Sequence, residues 1–220
     1  MRYAKKAGIV ITRSISAARI LGAAVLATTM TALAGAVPAH AAASSPPSFL
    51  ALRPVVLAGS FVAPSQPGPA EGGYLYISSL APPGATAYVS SLSNRNTVSA
   101  LLLSGWLPNR VYGAHLHRAP CGPDPLDAGG HYQYIEDPVQ PSVNPAYVNP
   151  ANEVWLDVAT DAQGNGRALS VNNWSYNGRT PASLVIHEHA TSRGLNGEVP
   201  GDAGPRVACV NLVPSSWLFP

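Results

Sequence analysis

From Tyr74 onward the chain alternates apolar and polar positions in short runs broken by turn residues, the pattern of half-buried β-strands. It predicts strands over 74–78, 86–92, 98–104, 112–118, 154–160, 167–174, 183–187 and 207–213. Between them lie Pro82-Pro83-Gly84, Ser93-Asn94-Arg95-Asn96, Pro108-Asn109 and the run 161–166, each with the Gly, Pro, Asn or Asp chemistry of tight turns. No stretch of this region carries a helical period. The pattern predicts an all-β sandwich or barrel with two long loops, 119–152 and 188–205.

Upstream, residues 42–73 are rich in Pro, Ser, Ala and Gly, with prolines at 46, 47, 54, 64, 67 and 69, and read as a linker or arm. Within it 55–62 is apolar enough for a first strand or a docked arm, and the sequence does not choose between them. Upstream again, Arg2, Lys5, Lys6, Arg13 and Arg19 precede an uncharged stretch from Ile20 to Val37, and Ala39-His40-Ala41 has the small-x-small form of a signal-peptidase site. The expectation is a signal peptide over 1–41, a linker over 42–73 and one β-domain over 74–220. The uncharged stretch is Ala-, Gly- and Thr-rich and closed by Pro38, so cleavage and secretion are expected rather than a retained membrane anchor.

The formal charge of +2 belongs to that leader. Without it eight basic residues, all arginine, face 11 acidic ones, a net of −3. A mildly acidic protein is a poor partner for nucleic acid. The chain has two cysteines, Cys121 and Cys209, and in an exported protein an even count predicts a disulfide between them.

The candidate chemistry lies in the histidines. His115 and His117 are one residue apart, so on a strand both imidazoles point the same way. Gly129-Gly130-His131 ends a Gly/Pro/Asp-rich loop that can return a third ring to the same point, and Val185-Ile186-His187 offers a fourth. Imidazole suits copper, zinc, iron and nickel, and an all-nitrogen set leans toward copper.

The order His115-x-His117, Cys121, Gly-Gly-His131, Ile-His187-Glu and Gly-Pro-Arg206-Val-Ala-Cys209 resembles the copper/zinc superoxide dismutase family over roughly 97–213. The resemblance implies an eight-stranded Greek-key barrel of the sandwich type and copper held by His115, His117, His131 and His187. It also implies an Arg206 that attracts and positions the superoxide anion, and a His131 that detaches from the copper and takes up a proton as the metal is reduced. It departs from the family at zinc: no histidine lies between His131 and His187, so a copper-only member without a zinc site is expected. A copper ligand then needs another group to orient its second nitrogen. Glu153 and Asp157 are the first candidates, with Glu136 and Asp137 in the loop of His131. His189, two residues beyond His187, is a further candidate as supporting group or alternative ligand. The function expected is a secreted, copper-dependent superoxide dismutase. The alternatives are a secreted copper-buffering protein with the same site and little turnover, and a β-sandwich envelope module without stoichiometric copper.

Overall fold

The computed structural model describes residues 54–176 and 178–214. The expected leader and its cleavage site lie outside these residues. Twelve strands are formed: β1 (Val55–Val62), β2 (Gly68–Ala70), β3 (Gly73–Leu75), β4 (Thr86–Ser93), β5 (Thr97–Ser104), β6 (Val111–Tyr112), β7 (Ala114–His117), β8 (Val158–Ala159), β9 (Gly166–Asn172), β10 (Ser183–His187), β11 (Arg206–Asn211) and β12 (Val213–Pro214). They build two antiparallel five-stranded sheets, ordered β12-β1-β4-β5-β9 and β2-β3-β11-β10-β7, with β6 and β8 as a separate ribbon. Two 3₁₀ turns, Pro125–Ala128 and Leu195–Gly197, are the only helical segments among the described residues. The chain folds as an antiparallel β-sandwich.

Alternation decides what is buried. Along β4 and β5 every second side chain faces inward, Ala87 and Val89 opposite Leu101 and Leu103, and the other sheet answers with Leu75, Leu116, Leu184, Ile186 and Val210. Trp106 and Tyr112 close one end of this core, ring edge to ring face at 5.1 Å. Each of the Leu, Ile and Val side chains removed from water contributes roughly 1.5–3 kcal/mol before entropy is charged against it.

Three boundaries differ from the sequence expectation. Sheet structure begins at Val55, not Tyr74. β1 pairs with β4 along its whole length, from Val55 opposite Ser93 to Val62 opposite Thr86, and Leu57 and Phe61 enter the core. The surrounding prolines hid it: they lie at the strand's flanks, where no ladder hydrogen bond is lost. The run 112–118 is two strands, because the pairing changes partner at Gly113: β6 pairs with β8 and β7 with β10. Gly113 N donates to the carbonyl of His189 at 2.6 Å, and any Cβ there would sit 2.6 Å from that oxygen. The run 154–160 pairs regularly only at Val158–Ala159. Its first half runs beside β7 through one isolated bridge, His115 opposite Trp155, with Leu156 N donating to Ala114 O at 2.7 Å.

The disulfide joins Cys121 to Cys209. Cys209 lies on the central strand β11 of the second sheet, so the bond anchors the start of the long loop that carries His131.

Candidate metal centre

In β7, Ala114 and Leu116 face the core, which leaves His115 and His117 on the opposite, outer face of the second sheet. That face is not open to water: both histidines are fully buried beneath the two long loops. β10 pairs with β7 so that Val185 lies opposite His115 and Ser183 opposite His117. His187, two residues past Val185, therefore comes up on the same face. His131 is laid against His117 by a single bridge, with Tyr132 N donating to Leu116 O at 2.8 Å. One nitrogen from each of the four rings lies within 4.8 Å of the other three.

Each ring is held by its other nitrogen. His117 Nδ1 is 2.9 Å from the carbonyl of Gly129, and His187 Nδ1 is 3.0 Å from that of Gly204. A carbonyl only accepts, so both rings carry the proton on Nδ1 and turn Nε2 inward. His131 Nδ1 lies 2.8 Å from Glu153 Oε2. His115 is reversed: its Nε2 lies 2.7 Å from the Thr191 hydroxyl, and Nδ1 faces the cluster. Three inward nitrogens, His115 Nδ1, His117 Nε2 and His187 Nε2, are buried with no protein partner. Orphaned buried polar atoms are costly and uncommon in native structures. Three of them converging, together with His131, form a nitrogen donor set that fits a metal ion of the kind imidazole binds.

Of the expected supporting acids, Glu153 is the one that reaches His131. It is 1 % exposed and takes three donors: His131 Nδ1, Trp155 Nε1 at 2.7 Å on the same oxygen, and Gln133 Nε2 at 2.9 Å on the other. Asp157 reaches His115 only through Thr191, whose backbone N–H donates to Oδ2 at 3.0 Å and whose hydroxyl bonds Oδ1. Asp137 is occupied in its own turn, accepting from Val139 N and Ser142 Oγ, and Glu136 pairs with Arg179. His189 is not brought into the cluster. It is exposed, its backbone N–H donates to Ala203 O, and its ring lies against Gly204. The regular pairing of β10 ends at His187, so strand alternation does not carry residue 189 to the face of His187. Thr191 is the functional candidate that sequence reasoning missed. A hydroxyl in a loop 76 residues from its histidine leaves no local signal.

Arg206 owes its place to a bulge. Val185 pairs with Cys209 and Ile186 with Ala208, but His187 pairs with Arg206, so Val207 is the extra residue. Without the bulge, alternation from Cys209 would put Val207 on the histidine face and Arg206 in the core. With it Val207 joins the core, and the Arg206 guanidinium spans to the carbonyls of Pro125 at 2.6 Å and Gly129 at 2.7 Å. Gly129 O thus holds both His117 and Arg206. His131 and Arg206 border a cleft of about 270 Å³, whose other side is formed by Gln140, Pro200 and Gly201. Arg193 is stacked 4.9 Å over the Trp155 ring.

Burial moves the ring pKa values in one direction. Desolvation, then the neighbouring rings, hold His115 and His117 well below the ordinary histidine value, and desolvation lowers His187 to about 4. In the metal-free protein the unfolded chain takes up these protons near pH 6.5 while the folded chain does not. Stability is therefore full above pH 6.5 and falls as pH drops toward 4. His187 alone accounts for a loss on the order of 3 kcal/mol by the lower limit. Denaturant titrations of the metal-free protein at pH 7.5 and pH 4.5 check this; equal midpoints would contradict it.

No protein-family model and no curated protein matches the chain. Solved structures do, 87 chains in all. The clock protein EA4 is 18 % identical over 72 % of this chain and 94 % of its own, with a TM-score of 0.49. The Cu/Zn superoxide dismutase from Brucella abortus is also 18 % identical, over 72 % of this chain and 98 % of its own, with a TM-score of 0.44. Identity at this level carries no activity across to this chain.

Proposed function

We propose that the protein is a copper-dependent superoxide dismutase that works outside the cytoplasm with a four-histidine site and no zinc. The observation that carries this reading is the set of inward imidazole nitrogens, three of them buried and unpartnered, beside a cleft that also receives a guanidinium. His115 through Nδ1, and His117, His131 and His187 through Nε2, would hold the ion. Copper bound there supplies one-electron redox chemistry, by which two superoxide anions and two protons become dioxygen and hydrogen peroxide. The chain's own residues bind and orient. Arg206 offers a permanently charged, planar donor set to a small anion at the cleft, and its two carbonyl partners fix where that charge sits. His131 keeps its Nδ1 proton directed at Glu153, which pins the ring at the border of the cleft. The nitrogen that a second metal would need is thereby given to a carboxylate, which favours the copper-only reading. An oxidising compartment is supported by the disulfide, and no described helix is long and apolar enough to cross a membrane.

Superoxide consumption by the copper-loaded protein tests the reading. Turnover is expected, and Arg206→Ala is expected to lower it about ten- to a hundredfold while copper content is unchanged. Copper held at full stoichiometry without turnover would turn the assignment to a copper-holding protein.

A further inference from the structure

We infer that Thr191 is a positioning residue for the metal centre: its hydroxyl, committed as a donor to Asp157, makes His115 carry its proton on Nε2 and present Nδ1 to the other three histidines. This role rests on the copper reading above, although the tautomer itself is a property of the metal-free chain.

His115 differs from its three companions. They meet a carbonyl or a carboxylate through Nδ1, and these acceptors leave no choice about where the ring proton sits. His115 meets a hydroxyl through Nε2. A hydroxyl has one proton and can either give or accept, so a lone threonine would allow both tautomers. Asp157 removes the ambiguity. The Thr191 backbone N–H can only donate, and it donates to Asp157 Oδ2. The Thr191 hydroxyl lies against Oδ1 of the same carboxylate, an acceptor of the charge-assisted kind. With its single proton spent there, Oγ1 has only lone pairs left for His115, and the bond at 2.7 Å requires an N–H on Nε2. The other tautomer would set two lone pairs against each other at that distance and drive an N–H into the histidine cluster. Nδ1 of His115 is buried and without a protein partner, as a lone pair reserved for the cluster would be. Thr191 and Asp157 together thus do for His115 what Glu153 does for His131. They also fasten the loop that follows β10 to the loop that precedes β8, across the buried side of the site.

Long-range ¹H–¹⁵N spectra of the metal-free protein at about pH 8, above the ordinary histidine range, report the ring tautomer directly. The expected result is Nε2–H for His115 in the wild type and in Thr191→Ser, and loss of that pure state in Thr191→Val, which has no acceptor. Copper affinity is expected to fall about ten- to a hundredfold in the valine variant and to return largely with serine. Should the valine variant not fold, Asp157→Asn serves. Its amide can turn an N–H toward Oγ1 and free the hydroxyl proton for His115, so a mixed tautomer is expected. An Nδ1–H tautomer in the wild type, or an unchanged Nε2–H in Thr191→Val or Asp157→Asn, would overturn the inference. A wild-type protein with Nε2–H that takes up no copper would overturn the copper reading, and with it the metal-positioning role, and leave only the tautomer set by Thr191 and Asp157 standing.

Discussion

Replacing Glu153 by alanine is expected to destabilise the metal-free protein by about 3–5 kcal/mol, the sum for several donors left without their acceptor. Three donors lose their acceptor at once, the buried Trp155 and Gln133 and the half-buried His131, and an abandoned buried donor costs about 1–3 kcal/mol. The loss reaches the metal centre because one carboxylate oxygen holds both the His131 ring and the indole of Trp155, itself edge-on to His115 at 5.8 Å. Copper affinity should fall about ten- to a hundredfold in the same variant. Glu153→Gln keeps the volume and one acceptor, and is expected to cost less on both counts. Denaturant unfolding with a copper competition titration measures the two effects. An alanine variant within about 0.5 kcal/mol of wild type and with unchanged affinity would show that the carboxylate supports nothing.

The double variant Cys121→Ser, Cys209→Ser is expected to lose about 3–5 kcal/mol, because the bond closes a loop with a sequence separation of 88 and the constraint on the unfolded chain grows with loop length. It should also disturb the site. Gly129, whose carbonyl holds His117 and Arg206, lies eight residues beyond Cys121 in the tethered segment, whose 3₁₀ turn supplies the Pro125 carbonyl to Arg206 as well. Turnover at saturating copper should therefore fall further than the fraction unfolded explains. The stability of the oxidised wild type, the reduced wild type and the double variant decides this; equality of all three would remove the disulfide from the account.

The histidine quartet was legible in the sequence because strand alternation is a rigid rule. His115 and His117 on one strand, with a Gly-Gly-His after a loop, needed only pairing with His187 to converge. The register of β10 against β7 supplies that. Other parts were not legible because they depend on single-residue events in the backbone. The bulge at Val207 sends Arg206 to the histidine side, and no pattern of apolar positions announces it. Sequence put Glu153 and Asp157 ahead of Glu136 and Asp137 without choosing between them; only the folded loops show that Glu153 meets His131 directly and Asp157 meets His115 through Thr191, while Asp137 and Glu136 serve a turn and a surface pair. For 55–62 the sequence does not choose between a first strand and a docked arm, because VVLAGSFV lacks strict alternation and lies among prolines.

The central claim is that four imidazoles of this chain hold one copper ion. Titration of the metal-free protein with Cu(II), followed by electron paramagnetic resonance of the nitrogen couplings, tests it most directly. One copper per chain with couplings from four imidazoles, reduced in number by His117→Ala and untouched by His189→Ala, is the result expected. No stoichiometric binding, or the same spectrum with His117 replaced, would contradict it.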